Sequence, residues 1–204
     1  MNMDKPQIVI MATNNAHKLE EVRQILGSAF TVKGLNDIGC MEDIPETADT
    51  LEGNALQKAL YVYEHYGVDC FADDTGLEVD AFGGAPGVYT ARFGSMNGYG
   101  ESHDSNANIQ CLLDKLKEAE TRTARFRTVI ALVQDGKEML FEGIVVGKIL
   151  AQPVGEGGFG YDPVFAPIEA NGLAFAQMSA EAKNAISHRG RAIKKLAEYL
   201  CQRQ

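Results

Sequence analysis

The sequence contains no apolar stretch approaching the roughly 20 residues that span a bilayer. The first residues, Met1-Asn2-Met3-Asp4-Lys5, show no basic segment followed by an apolar core, so no signal peptide is expected. Positive charge is in deficit: 19 Lys and Arg against 28 Asp and Glu leave a net charge of −9. Proteins that neutralise many phosphates of a nucleic-acid polymer usually show the reverse balance, so general DNA or RNA binding is disfavoured. The four cysteines (Cys40, Cys70, Cys111, Cys201) include no C-x-x-C pair. Neither a disulfide framework nor a zinc site is expected, and a reducing, cytoplasmic setting fits. There is also no G-x-S-x-G, no P-loop and no G-x-G-x-x-G, and no Cys/His pairing argues for a covalent nucleophile. Without repeats, low-complexity tracts or a Pro/Ser-rich linker, residues 1–204 read as a single domain, or two lobes with no clean boundary.

What is present is an ordinary globular composition, 45% apolar and 23% charged. Residues 7–12 are a short β-branched apolar run of strand length. From Leu19 the period becomes helical, with Leu19, Val22 and Leu26 on one face and Gly27 as the stop. Leu56, Ala59, Leu60 and Tyr63 mark a second helix, with Asp49 and Glu52 as a capping pair. Val68–Ala72 reads as a buried strand that ends in Asp73-Asp74-Thr75-Gly76. A third helix carries Ile109, Leu112, Leu113 and Leu116. Alternation across Arg125–Leu132, then Asp135-Gly136, predicts a long hairpin. Ile193, Leu196, Ala197 and Leu200 close the chain with a helix. Strand–helix units followed by a hairpin predict an α/β protein with a long mixed, twisted sheet and flanking helices.

Several segments are candidates for chemistry, the glycine-dense Gly83-Gly84-Ala85-Pro86-Gly87 among them. Thr13-Asn14-Asn15-Ala16-His17-Lys18 joins the first strand to the first helix, where free backbone N–H groups make an anion site. Taken alone it reads more readily as a capped helix with a solvated lysine. Asp73-Asp74 puts two carboxylates after an apolar strand, as a Mg²⁺ site with a proton-accepting acid, or as a plain Asp-to-Gly turn. Glu46 is a candidate second metal ligand, or else a surface acid. The glycine-dense Gly155–Pro163 segment offers Phe159 or Tyr161 as a flat face for a base and Asp162 as an acceptor, although tight loops use the same residues. Ser187-His188-Arg189-Gly190-Arg191, with Lys183 upstream, sets basic groups before the last helix. The dipole of a helix disfavours cations there, which favours a functional reading.

In order and spacing these motifs resemble the inosine triphosphate pyrophosphatase family. The shared signatures are residues 13–18, Glu46, Ala72-Asp73-Asp74-Thr75-Gly76-Leu77, Gly84–Arg92, Gly157-Gly158-Phe159-Gly160-Tyr161-Asp162-Pro163 and Ser187-His188-Arg189-Gly190. The resemblance implies Mg²⁺-dependent cleavage of ITP, dITP and XTP between the α- and β-phosphates, by a homodimer of two-lobed α/β subunits. By similarity Thr13, Asn14, Asn15, Ala16, His17 and Lys18 hold phosphates, Lys18 being the charged member. Glu46 and Asp74 are the metal acids, Asp74 also the proton acceptor, and Thr75 contacts the nucleotide. Phe159, Gly160, Tyr161 and Asp162 form the base pocket, completed by Lys183, His188 and Arg189.

That assignment is chemically coherent. Hypoxanthine and xanthine present a 6-oxo acceptor where adenine has a donor amine. Donors such as His188 and Arg189 at that edge leave a buried mismatch with adenine worth about 1–3 kcal/mol. An acidic chain that binds a polyanion also needs a cation and local lysines to offset repulsion. Two other readings use the same residues: a pyrophosphatase for pyrimidine or modified nucleotides, and a nucleotide-binding regulator without turnover.

Overall fold

The structure is a computed structural model that describes residues 6–202; Met1–Lys5, where a leader was sought, lies outside the described residues. The fold is mixed α/β. Strand β1 (Gln7–Ile10) leads into helix α1 (Ala16–Leu26) and back to β2 (Phe30–Lys33). β1 and β2 pair in parallel in a sheet of their own. Helix α2 (Leu51–Tyr66), strand β3 (Cys70–Val79), strand β4 (Pro86–Gly87) and helices α3 (Phe93–Met96) and α4 (Ser105–Lys115) follow. Next come strands β5 (Thr123–Gln134), β6 (Lys137–Ile149) and β7 (Phe165–Pro167), then helices α5 (Ala180–Ile186) and α6 (His188–Cys201). A five-stranded sheet has the order β4-β3-β5-β6-β7, with β4 antiparallel to β3 and β7 antiparallel to β6.

Local sequence explains most of these elements. Asn15 caps α1, its side chain accepting from the Lys18 amide at 3.1 Å, and Gly27 ends the helix at φ 61°. Asp135 (φ 51°) and Gly136 (φ 70°) make the two-residue turn between β5 and β6, whose left-handed conformations suit the strand twist. The cap of α2 differs from expectation. Thr50, not Asp49, accepts from the Gly53 amide, at 3.0 Å.

A parallel bridge, Met11–Phe71, just past β1 links it to β3. One strand reading is corrected. Asp73 and Asp74 were expected beyond a strand end, yet they lie inside β3. Carboxylates and glycine are poor strand formers, which is why the pattern read as a turn. Tertiary partners of Asp73 and Asp74 override that preference.

The chain divides into two compact units. The first takes in residues up to Asp74, Thr128–Gly143 and Arg189 onward; the second takes in Thr75–Arg127 and Ile144–His188. β3, β5 and β6 contribute residues to both. In the first unit β5 is buried on both faces, because Ile130 and Leu132 pack with α1 and α6 side chains while Ala131 and Val133 pack with those of α2. The expected alternation therefore fails there. In the second unit Leu77, Val79, Phe126, Phe165 and Phe175 form a core with Ile109 and Leu112 of α4 and with Leu116 at its C-terminal cap. No helix among the described residues is long and apolar enough to cross a membrane.

Candidate active site

In the first unit, one buried carboxylate organises a cluster of charges. Asp73, only 1% exposed, accepts from Lys18 Nζ at 3.0 Å through Oδ1 and from Arg189 Nε at 3.3 Å through Oδ2. Its backbone carbonyl accepts from Lys58 Nζ at 2.8 Å. Arg189 reaches onward from the first turn of α6 to Glu21 on α1. A basic residue at that helix start is thus compensated by two acids. Burial alone would raise the Asp73 carboxyl, but Lys18, Arg189 and Lys58 outweigh it and hold it far below the usual carboxylate range.

Asp74 points to the opposite face of β3, as the alternation of a strand requires. Its Oδ2 accepts from Asn54 Nδ2 at 3.1 Å. Burial is the leading influence and raises its carboxyl above the ordinary value, against the pull of Lys58 and Lys18. The two adjacent acids thus sit in different surroundings, Asp73 between cations and Asp74 beside Asn54, and their carboxyls shift in opposite directions.

Lys58 was not legible as a functional residue, nor was Asn54. Leu51, Asn54, Ala55, Lys58, Ala59 and Val62 form the buried stripe of α2, so an amide and an ammonium occupy core positions. Burial opposes the charge of Lys58, yet Asp74, Asp73 and Glu46 together raise it. Lys58 also bonds Glu46 directly. That carboxylate is 43% exposed, on the segment before α2. At the loop before α1, Thr13 Oγ1 accepts from the Asn15 amide at 3.1 Å. Asn14, Asn15, Ala16 and His17 are exposed there. The Lys18 ammonium is lowered by burial, with Asp73 opposing. The first unit therefore brings together Lys18, Glu46, Asp73, Asp74 and Arg189 of the expected residues, and adds Glu21, Asn54 and Lys58.

The second unit brings together Phe159, Asp162, Lys183 and His188. Asp162 is buried and accepts from the Phe159 amide and from Lys183 Nζ, both at 2.8 Å, bracing the glycine-dense loop. Lys183 Nζ lies 4.9 Å from the Phe159 ring centre and 5.6 Å from that of Phe175. Phe159 and Gly160 are half-buried, as is Thr75. Tyr161 departs from expectation: it is a core residue, 3% exposed, donating to the Thr90 carbonyl at 2.9 Å, because its ring completes the apolar cluster. His188 stacks on Phe126 with ring centres 4.7 Å apart.

The donor set also bears on a metal. Among the described residues no group of three or more His, Cys, Asp or Glu is placed to hold an ion. What the site offers is two hard carboxylates, Asp74 and Glu46, close enough for Glu46 to influence Asp74. This suits Mg²⁺, which keeps waters and phosphate oxygens and needs only one or two protein carboxylates.

An α/β chain with paired strand acids, flanking lysines and an aromatic–lysine loop has the parts of a nucleotide hydrolase. It belongs to the Ham1 family, whose model matches residues 9–199. It is 52% identical over 193 residues to a dITP/XTP pyrophosphatase of Porphyromonas gingivalis, an alignment covering 94% of this chain and 96% of that one. A Bacillus subtilis protein of the same name is 44% identical, with 94% and 96% covered. Among solved structures, the Staphylococcus aureus Ham1 protein superposes with a TM-score of 0.85 at 36% identity, covering 97% of this chain and all (100%) of that one.

Proposed function

We propose that this chain hydrolyses deaminated purine nucleoside triphosphates, dITP, ITP and XTP, to the monophosphate and pyrophosphate, and so clears them from the nucleotide pool. The names of its relatives support the substrate class. The observation within this chain that carries the reading is the pair of adjacent buried acids on β3, Asp73 bonded to Lys18 and Arg189 and Asp74 bonded to Asn54.

In this reading Asp74 accepts the proton of the attacking water while the water oxygen bonds to phosphorus and the α–β bridging bond breaks. A raised carboxyl suits that task, since proton acceptance improves as its conjugate acid weakens. Lys18 and Lys58 offset the charge of the phosphates, aided by the positive end of the α1 dipole; the amides of Thr13, Asn15 and Lys18 are already bonded within the loop. Asp73 and Arg189 keep Lys18 in place. Asp74 and Glu46 would hold Mg²⁺, which supplies charge neutralisation on the triphosphate. Phe159 stacks on the base, Lys183 and Asp162 set its loop, and Thr75 contacts the nucleotide. His188 offers a donor to the 6-oxo edge, whereas Arg189, expected there too, is buried and bonded to Asp73 and Glu21. A homodimer without nucleic-acid or membrane partners, working in the cytoplasm, completes the reading. The acidic balance supports the absence of a nucleic-acid partner and the free cysteines Cys40, Cys70, Cys111 and Cys201 support the reducing setting, while the homodimer rests on the family resemblance.

The test is product analysis of ITP, XTP, GTP, ATP and dTTP with and without Mg²⁺. Mg²⁺-dependent release of pyrophosphate and IMP, with ATP and GTP nearly untouched, is expected. Release of orthophosphate and a diphosphate would overturn the geometry assigned to Asp74. Preference for dTTP would overturn the base assignment.

A further inference from the structure

Residues 39–50, which lead into α2, contain no helix or strand, yet they carry Glu46. Their contacts with α2 follow a regular progression. The Ala48 amide donates to Asn54 Oδ1 at 2.9 Å. The Thr47 amide donates to Gln57 Oε1 at 3.0 Å, and Gln57 Nε2 donates back to Thr47 Oγ1 at 3.0 Å. Lys58 bonds Glu46, and the hydroxyls of Tyr61 and Tyr66 both donate to Glu42 Oε2 at 3.0 Å. As the helix positions rise from 54 to 66, their partners fall from 48 to 42. Asn54, Gln57, Lys58 and Tyr61 share the i, i+3, i+4, i+7 spacing of one helix face. The segment is thus laid antiparallel along a polar rail.

Within the rail, Gln57 alone grips both the amide and the side chain of one residue, and that residue is the neighbour of Glu46. Glu46 itself is 43% exposed, so apart from its ion pair with Lys58 little packing orders it. A carboxylate that must be ordered before it can hold a cation binds less tightly, because the ordering entropy opposes binding.

We propose that Gln57 is a positioning residue: its two-point grip on Thr47 orders Glu46 in advance and thereby sets the affinity of the site for its divalent cation. The proposal rests on the reading of Glu46 as a metal acid. It assigns Gln57 no contact with substrate and no share in the proton transfer.

Gln57→Met removes both hydrogen bonds at similar size. In the full chain without metal, the Thr47 amide should exchange with solvent about fivefold faster or more, read by NMR hydrogen exchange. The half-saturating Mg²⁺ for pyrophosphate release should rise about fivefold, with kcat at saturating Mg²⁺ and KM for ITP changed by less than about twofold. Thr47→Ser, which keeps the hydroxyl, should behave as the parent does. Thr47→Val removes only the hydroxyl contact and should give a smaller rise in half-saturating Mg²⁺, providing the test if Gln57→Met fails to fold. Unchanged Thr47 exchange, unchanged half-saturation, or a kcat lowered equally at every Mg²⁺ concentration would each overturn the proposal. Turnover by the parent protein that ignores Mg²⁺ would instead overturn the metal reading of Glu46, and this proposal with it.

Discussion

The adjacent acids of β3 permit a stringent comparison, because the same substitution at neighbouring positions should have opposite consequences. Asp73→Asn removes a buried charge from between Lys18 and Arg189. Breaking a buried ion pair by deleting one partner costs about 3–5 kcal/mol, and an isosteric amide that still accepts a hydrogen bond belongs at the low end. For a chain of this size about 3 kcal/mol lowers Tm by about 6–12 °C. Asp74→Asn removes a charge that burial already disfavours, so its Tm should equal or exceed that of the parent. Turnover of ITP should reverse the ranking, with Asp74→Asn abolishing it. The pH dependence has a defined sign. A carboxyl held low in the folded state contributes stability above its unfolded value and loses it as pH falls through the folded one. The Tm gap between parent and Asp73→Asn should therefore be full at neutral pH and shrink only below about pH 4. Differential scanning fluorimetry between pH 3 and 8, with pyrophosphate release measured alongside, checks all of this. Equal Tm losses at the two positions, or a stable Asp73→Asn, would refute the division of roles.

Lys58→Met should lower kcat about 100-fold, since it leaves Glu46, Asp73 and Asp74 without their shared cation; steady-state kinetics at saturating Mg²⁺ read the loss. Phe159→Ala should raise KM for ITP about 5- to 100-fold while leaving Tm nearly unchanged, the loss of one stacking contact being worth about 1–3 kcal/mol. Gly76→Ala should destabilise by about 1–3 kcal/mol in urea unfolding, because the added Cβ would lie 2.7 Å from the Gly87 carbonyl oxygen.

Gly76 also shows how a motif can be recognised for the wrong physical reason. Asp-Asp-Thr-Gly reads as a turn, yet the glycine is there so that β4 can approach β3 closely. The elements that depend on local rules were legible: Asn15 and Gly27 bounding α1, Asp135-Gly136 reversing the hairpin, and the helical period of α4 and α6. Capping, turn conformation and periodicity act over a few residues, and a sequence displays them directly.

The order of the site motifs, and through them the family, was also legible, since chemistry restricts which residue types stand at those positions. Asn54 and Lys58 were hidden within an apolar period, and Glu21 on α1 looked like any helical acid. Both faces of β5 proved buried because helices cover each. Tyr161, with the composition of a ligand-stacking residue, was taken by the core. Above all, the sequence by itself put two like acids side by side and could not say how they differ. Only tertiary structure decided that, because the strand turns Asp73 toward Lys18 and Arg189, whose charges hold its carboxyl low, and turns Asp74 toward Asn54, where burial outweighs the lysines and raises it.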